Sequence, residues 1–110
     1  MSANDTVILV SNYGMGKGLE NLQLLLMGKY LSLLSQRETL PAAICFYTEG
    51  VKLVIDGSPV MEQLITLEKK GVHLIVCSTC RNYFGLEDKE KVGILGGMTN
   101  ILEAHSAPRK

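Results

Sequence analysis

Two cysteines, Cys77 and Cys80, lie in the segment LIVCSTCRNYFGL, at the point where an apolar run ends and polar residues begin. Their C-x-x-C spacing is typical of zinc knuckles and of redox dithiols. A thiolate at such a place could also attack a sulfane sulfur and hold it as a persulfide. The remaining interpretation is that both are ordinary small core residues, since cysteine is commonly buried.

The sequence lacks some of the residues that a zinc site or a thioredoxin-like redox site usually has. A structural zinc site needs a second pair of ligands. The sequence offers only Cys45, inside a predicted strand, and two scattered histidines, His73 and His105. A thioredoxin-like dithiol is normally faced by a cis-proline, and none of the three prolines is placed for that. No metal or other cofactor is therefore predicted, and Cys45 is predicted to be a core residue between Ile44 and Phe46.

Sulfur carriage requires a nucleophile at an accessible strand end with a depressed pKa, and little else. Cys77 is predicted at the C-terminal tip of a strand, just ahead of a helix N-terminus, where backbone N–H groups stabilise a thiolate. Cys80 is close enough in sequence to resolve or receive the sulfur. Hydroxyl donors and positive charges are predicted nearby: Ser78, Thr79, Arg81 and, from a facing loop, Lys17.

The order of predicted elements indicates an α/β protein. Buried strands are predicted at 5–11, 42–48, 72–77 and 92–95, and helices at 19–35, 59–70, 81–86 and 98–105. Ser58 is the expected N-cap of the second helix, and 51–56 fits either an edge strand or a helical turn. The rhythm predicts one domain over 1–110: a three-layer, flavodoxin-like parallel sheet of four to five strands with helices on both faces.

In a flavodoxin-like strand order the first and third strands are neighbours, and the crevice between their following loops usually holds the chemistry. One loop would be Asn12–Gly18, which contains Gly14, Gly16, Lys17 and Gly18; the other would contain the two cysteines. This glycine loop is neither a Rossmann nor a P-loop fingerprint. It is interpreted first as a tight turn that lets a helix pack close to the sheet, with a possible contribution to polarising the cysteine pocket.

The segments GVHLIVCSTCRNYFGL, DGSPVMEQLITLEKKGV and SNYGMGKG together resemble the DsrE/DsrF/TusD-like sulfur-relay family over almost the whole chain, and most nearly its YedF-like branch, linked by name to selenium metabolism. The resemblance implies a small flavodoxin-like domain that forms homo-oligomers or hetero-complexes. Counted back from Gly85-Leu86, Cys77 matches the family's persulfide cysteine and Cys80 the second thiol of the YedF-like pattern. The small TusA-type domain that often accompanies YedF-like proteins has no counterpart in this sequence.

Composition limits the possible partners. Lys plus Arg and Asp plus Glu both number 11, so a nucleic-acid partner is not predicted. The 46% hydrophobic content is high for 110 residues, and the apolar positions of the first helix occupy a wide arc, which predicts a homo-oligomer such as a dimer, trimer or hexamer. No secretory signal or membrane span is recognised, so the predicted location is the cytoplasm.

The sequence therefore predicts a sulfur carrier, or a sulfurtransferase-like protein, that passes sulfane sulfur (or selenium) between a protein donor and a protein acceptor through Cys77, assisted by Cys80. Two alternatives stay open. One is a thiol–disulfide redox protein, and the other is a non-catalytic assembly module whose crevice binds a small anion.

Overall fold

The structure, a computed structural model, describes residues 6–87, 89–97, 99, 102 and 103. Four short strands form one sheet: β1 (Val7–Val10), β2 (Ala43–Phe46), β3 (His73–Cys77) and β4 (Ile94–Gly96). All adjacent strands are parallel. Parallel strands need crossover connections, and helical segments lie in each of them. The predicted α/β class with a four-stranded parallel sheet is confirmed.

The connections contain three α-helices, α1 (Glu20–Ser35), α2 (Met61–Lys69) and α3 (Ser78–Tyr83), and one 3-10 helix (Thr48–Val54). The 3-10 helix occupies most of the segment for which an edge strand or a helical turn was predicted. Helix α2 begins later than predicted. Ser58 precedes it, and its side-chain oxygen accepts a hydrogen bond from the Val60 N–H at 3.2 Å instead of capping the helix itself.

Helix α3 begins directly after β3, at Ser78, rather than at Arg81 as predicted. The difference matters because it places Cys80 inside the first turn of the helix instead of in a loop before it. Cys77 is then both the last residue of β3 and the N-cap of α3, with φ −66° and ψ 116°.

The core is built around β2, whose four residues are all buried. Consecutive strand residues point to opposite faces, so both faces of the sheet are covered at β2. Ile44 pairs with Ile8 of β1 and Leu74 of β3. The core also contains Leu31 from α1 and Leu64 from α2. Burying a side chain of this size stabilises the fold by about 1.5–3 kcal/mol, before entropy is counted.

The prediction that the first and third strands are adjacent in the sheet is wrong. The strand order is β1-β2-β3-β4, so β2 separates β1 from β3. A rhythm of strand and helix is the same for several orders of parallel strands, and only side-chain packing selects among them. The glycine loop after β1 and the cysteines after β3 therefore lie on either side of the turn that follows β2.

Of the predicted terminal helix at 98–105, the structure describes Thr99, Leu102 and Glu103, which are helical; the other positions of that helix lie outside the described residues. Among the described residues, every helix is too short or too polar to traverse a lipid bilayer.

Candidate functional site at the ends of strands β2 and β3

The candidate site forms where β2 and β3 end side by side. Phe46 near the end of β2 pairs with Val76 of β3, so the residues that follow each strand meet at the same edge of the sheet. From β2 this edge receives the turn Tyr47–Gly50, and from β3 it receives Cys77 and the first turn of α3. Three residues carry the site: Cys77, Cys80 and Thr48.

Cys77 is buried, and only 1% of its surface is exposed. The prediction that its thiol is presented at the mouth of a cleft is therefore wrong. Strand alternation places His73, Ile75 and Cys77 on one face of the sheet. Burial on this face increases along β3, from the exposed His73 through the partly buried Ile75 to the buried Cys77. Solvent or a protein partner cannot reach a thiol in this position without a rearrangement of the chain.

Cys80 is the accessible thiol of the pair. It is half-buried at the surface of α3. Its sulfur accepts a hydrogen bond from the backbone N–H of Thr48, with an N···Sγ distance of 3.0 Å. A hydrogen bond from a backbone N–H favours a negatively charged sulfur, in the way that an oxyanion hole favours a charged oxygen.

The pKa of the Cys80 thiol is nevertheless raised. Burial is the largest cause, and the neighbouring Cys77 side chain raises the pKa further, while the Thr48 N–H acts in the opposite direction.

Thr48 holds its N–H toward Cys80 through an unusual backbone conformation. Its φ is +51°, and among the described non-glycine residues it alone has a positive φ. Such a conformation costs a β-branched residue free energy and persists only where the surroundings impose it. Here the turn is fixed to β1, because the Tyr47 N–H donates to the Val10 carbonyl at 3.0 Å.

Gly50 closes the same turn against β1. A Cβ at position 50 would collide with the carbonyl oxygen of Val10, so only glycine fits this close approach. The Gly50 N–H donates to the Tyr47 carbonyl at 2.9 Å. The turn that positions the Thr48 N–H is therefore held at both ends by backbone contacts.

The C-terminus of α3 is also fixed by backbone geometry. Gly85 has φ +68°; its N–H donates to the Asn82 carbonyl at 3.0 Å, and the Leu86 N–H donates to the Arg81 carbonyl at 3.0 Å. This pair of bonds is a Schellman motif, which ends α3 with Phe84 as its C-cap. It terminates a helix of only six residues and thereby holds Cys80 against the Thr48 turn.

Arg81 does not supply a free positive charge to the thiols. Its Nη1 lies 3.3 Å from Oε2 of Glu90, and its side chain is 12% exposed. The guanidinium instead attaches α3 to the segment that precedes β4. Ser78 is half-buried and Thr79 is exposed in the first turn of α3, close to Cys80 in sequence.

The glycine loop takes its predicted structural role. A Cβ at Gly14 would collide with backbone atoms of Gln23, which confirms the tight turn that lets α1 pack close to the sheet. The amide of Gly18 donates to Oε1 of Gln23 at 2.9 Å and so is not directed at an anion. Lys17 lines a pocket with Asn12 and Glu49. The meeting of Gly14, Gly16, Lys17 and Gly18 with the thiols stays a prediction, and β2 lies between the strands that carry the two segments.

Two aromatic residues follow the thiols in sequence at the C-terminal end of α3. Tyr83 and Phe84 contact edge to face, with ring centroids 5.3 Å apart. The Lys52 ammonium lies 4.5 Å from the centroid of the Phe84 ring and 2.8 Å from Oε1 of Glu49. Phe84 and Lys52 line an open pocket of about 350 Å³ that Tyr13 and Asp56 share.

Sequence reasoning missed Thr48, the residue that donates to Cys80. It was assigned to the end of the second strand, and nothing in a threonine predicts a positive φ. The only local signal was Glu49-Gly50, which was interpreted as a strand terminator.

The third cysteine, Cys45, lies apart from the candidate site in strand β2. Cys45 is completely buried in β2, as predicted, and burial raises the pKa of its thiol. Within the described part of the chain, no three His, Cys, Asp or Glu side chains cluster in a way that could hold a metal ion.

Comparison with known proteins identifies the family. The sequence model of the DsrE/DsrF-like family matches residues 5–106, so the chain belongs to this family of small α/β proteins. No curated protein matches the sequence. The solved structure of a protein of unknown function from Methanobacterium thermoautotrophicum is similar, with a TM-score of 0.62 and 21% identity over 88% of this chain and 86% of that chain. At this identity the likeness supports the fold alone.

Proposed function

We propose that the protein is a sulfur carrier that receives sulfane sulfur on Cys80 as a persulfide and passes it to an acceptor thiol. Membership of the DsrE/DsrF-like family supports sulfur relay as the general role. The observation that carries the proposal is the N–H···S hydrogen bond from Thr48 to the half-buried Cys80 sulfur, beside a second thiol. Cys80 takes the role that the sequence suggested for Cys77, because a carrier sulfur must be reached by two partners in turn.

The chemistry consists of two displacements at sulfur. The Cys80 thiolate attacks the outer sulfur of a donor persulfide, so that a Cys80–S–S bond forms, the donor S–S bond breaks and the donor leaves as a thiolate. An acceptor thiolate then attacks the outer sulfur of the Cys80 persulfide, and Cys80 returns as a thiolate. The Thr48 N–H stabilises negative charge on the Cys80 sulfur at the start and at the end of the cycle.

The raised pKa of Cys80 has two opposing effects on its attack on the donor. A small thiolate fraction at neutral pH slows attack on the donor, whereas a more basic thiolate is intrinsically more nucleophilic. A protein donor that desolvates the site, or brings a cation beside Cys80, would change this balance. The site is therefore suited to a partner that docks rather than to a freely diffusing substrate.

The function is tested by loading the protein with inorganic polysulfide, quenching within seconds with an alkylating agent and weighing the intact chain. The wild type is expected to gain one sulfur atom that a reductant removes. Cys80→Ser should gain none, whereas Cys45→Ser, a control at a buried thiol outside the site, should gain as much as the wild type. A sulfur that remains in Cys80→Ser and disappears in Cys77→Ser would contradict the proposal.

We also propose that the chain assembles with copies of itself through the outer face of α1. Leu22, Leu26 and Leu33 recur at helical spacing on this face and are 50%, 42% and 65% exposed. The opposite face of α1 buries Met27 and Leu31 in the core. Aligned exposed leucines are typical of a helix that is covered by another molecule.

A further inference from the structure

The buried thiol of Cys77 has no part in the transfer proposed above. It is 1% exposed, so neither a donor nor an acceptor can reach it. A buried polar group that a mechanism leaves unused can still act on its neighbour. The neighbour of Cys77 is Cys80, the residue that carries the sulfur.

The backbone places the two thiols at the same helix start. Cys77 is the N-cap of α3 and Cys80 is the third residue of the helix, and the side chain of an N-cap residue reaches the third helical residue. A disulfide between the two needs a Cβ–Cβ distance of about 3.5–4.5 Å. C-x-x-C pairs at the start of a helix form such disulfides readily.

We propose that Cys77 resolves the persulfide on Cys80 and so limits how long the protein carries sulfur; this inference rests on the proposed function. The sulfur of Cys77 attacks the inner sulfur of the Cys80 persulfide. A Cys77–Cys80 S–S bond forms, the bond between Cys80 Sγ and the outer sulfur breaks, and the outer sulfur leaves as hydrosulfide with the proton of Cys77. The two cysteine sulfurs lose two electrons in total, and the released sulfur gains them.

Burial of Cys77 fits this role because the attack is intramolecular and needs no access from solvent. A neighbouring thiol at fixed distance reacts as though present at a very high concentration. The acceptor competes with Cys77 for the same persulfide. A docked acceptor takes the sulfur, whereas a loaded protein without an acceptor releases hydrosulfide and becomes oxidised. A cellular dithiol then restores the two thiols by disulfide exchange and is itself oxidised.

The experiment follows protein that has been loaded with inorganic polysulfide, freed from excess donor by desalting and held without oxygen or acceptor. Hydrosulfide in solution, intact mass and the peptide map are measured over time. The wild type should release one hydrosulfide per loaded chain, and its mass should fall to that of the unloaded chain less two hydrogens. The map should show a Cys77–Cys80 disulfide.

Cys77→Ala should keep its added sulfur at least about tenfold longer than the wild type, and Cys45→Ala should behave as the wild type. Should Cys77→Ala fail to fold, the hydrosulfide release and the disulfide of the wild type decide the question alone.

The outcomes separate this inference from the function on which it rests. Protein that never gains sulfur refutes both. Wild type that gains sulfur and keeps it as long as Cys77→Ala does, with no hydrosulfide and no disulfide, refutes only the resolving role of Cys77. A disulfide that joins Cys45 to either thiol would also overturn it.

Discussion

At the scale of single residues, the site depends on a competition at the Cys80 sulfur. Burial and the Cys77 thiol raise the pKa of Cys80, and one backbone N–H opposes them. The thiolate is the reactive form, so the raised pKa makes the reaction rate of Cys80 depend steeply on pH around neutrality. The pH dependence of the Cys80 reaction rate therefore measures whether burial or the Thr48 N–H has the larger effect on the pKa.

The alkylation rate of native Cys80 by iodoacetamide should rise about tenfold per pH unit from pH 7, because the thiolate fraction rises by that factor below the pKa. Its midpoint should lie above about 8.5, the ordinary value for a cysteine thiol. Mass spectrometry of the labelled peptides would follow each cysteine separately, and Cys45 and Cys77 should stay unlabelled in the folded protein. A midpoint below 8.5 would show that the Thr48 N–H outweighs burial.

Thr48 donates its backbone N–H to Cys80 from a backbone conformation with positive φ. Thr48→Gly keeps the N–H and removes the steric cost of φ +51°, while it adds the backbone entropy of glycine. The variant should therefore be more stable by up to about 1 kcal/mol in denaturant unfolding, with the alkylation rate of Cys80 unchanged. Thr66→Gly, a matched change within α2, should instead lose a few tenths of a kcal/mol. A Thr48→Gly variant much less stable than the wild type would contradict the backbone assignment.

At the scale of elements, the turn between β2 and the 3-10 helix determines where the Thr48 N–H points. Gly50→Ala places a methyl group against the Val10 carbonyl and must displace this turn. We expect a loss of at least about 2 kcal/mol in stability, as for other overpacked sites, and slower sulfur loading of the folded fraction. Gly97→Ala is the control, since no atom lies within 4 Å of a Cβ added there. Equal stability of the two variants would show that the turn yields easily.

Sequence reasoning succeeded for the elements whose pattern is local. The buried runs of β2 and β3 and the long helix α1 were predicted because apolar residues and breakers such as Gly71 define them within a few positions. Sequence reasoning failed where a contact depends on residues far apart in the chain. The thiol of Cys80 and the N–H of Thr48 are 32 positions apart in the chain, and their contact follows from β2 and β3 being neighbours.

The burial of Cys77 was missed for a related reason. A residue at a strand end is accessible or buried according to what covers that end, and the sequence predicted a crevice there from a strand order that the protein does not have. The position of Cys77 at the end of a strand and just ahead of a helix was predicted correctly. Which of the two thiols faces solvent required the packing of the whole sheet.

At the scale of the whole molecule, none of the described elements covers the outer face of α1. The first helix has apolar residues over a wide arc; the core buries one part of this arc and leaves Leu22, Leu26 and Leu33 exposed. In the proposed assembly a neighbouring copy covers the outer face of α1. The proposed interface and the thiol site lie on different elements, so each can be altered without the other.

The double variant Leu26→Gln, Leu33→Gln tests this assembly. Sedimentation velocity at micromolar concentration should show the wild type above the 12.0 kDa of a single chain and the variant as a monomer. Thermal unfolding of the variant should remain cooperative, because neither side chain contributes to the core, and its Cys80 should still gain sulfur. Glu62→Gln changes an exposed polar residue of α2, outside the outer face of α1, and should leave the assembly intact. A wild type that sediments as a monomer would contradict the proposal, and the exposed leucines would then need a different partner.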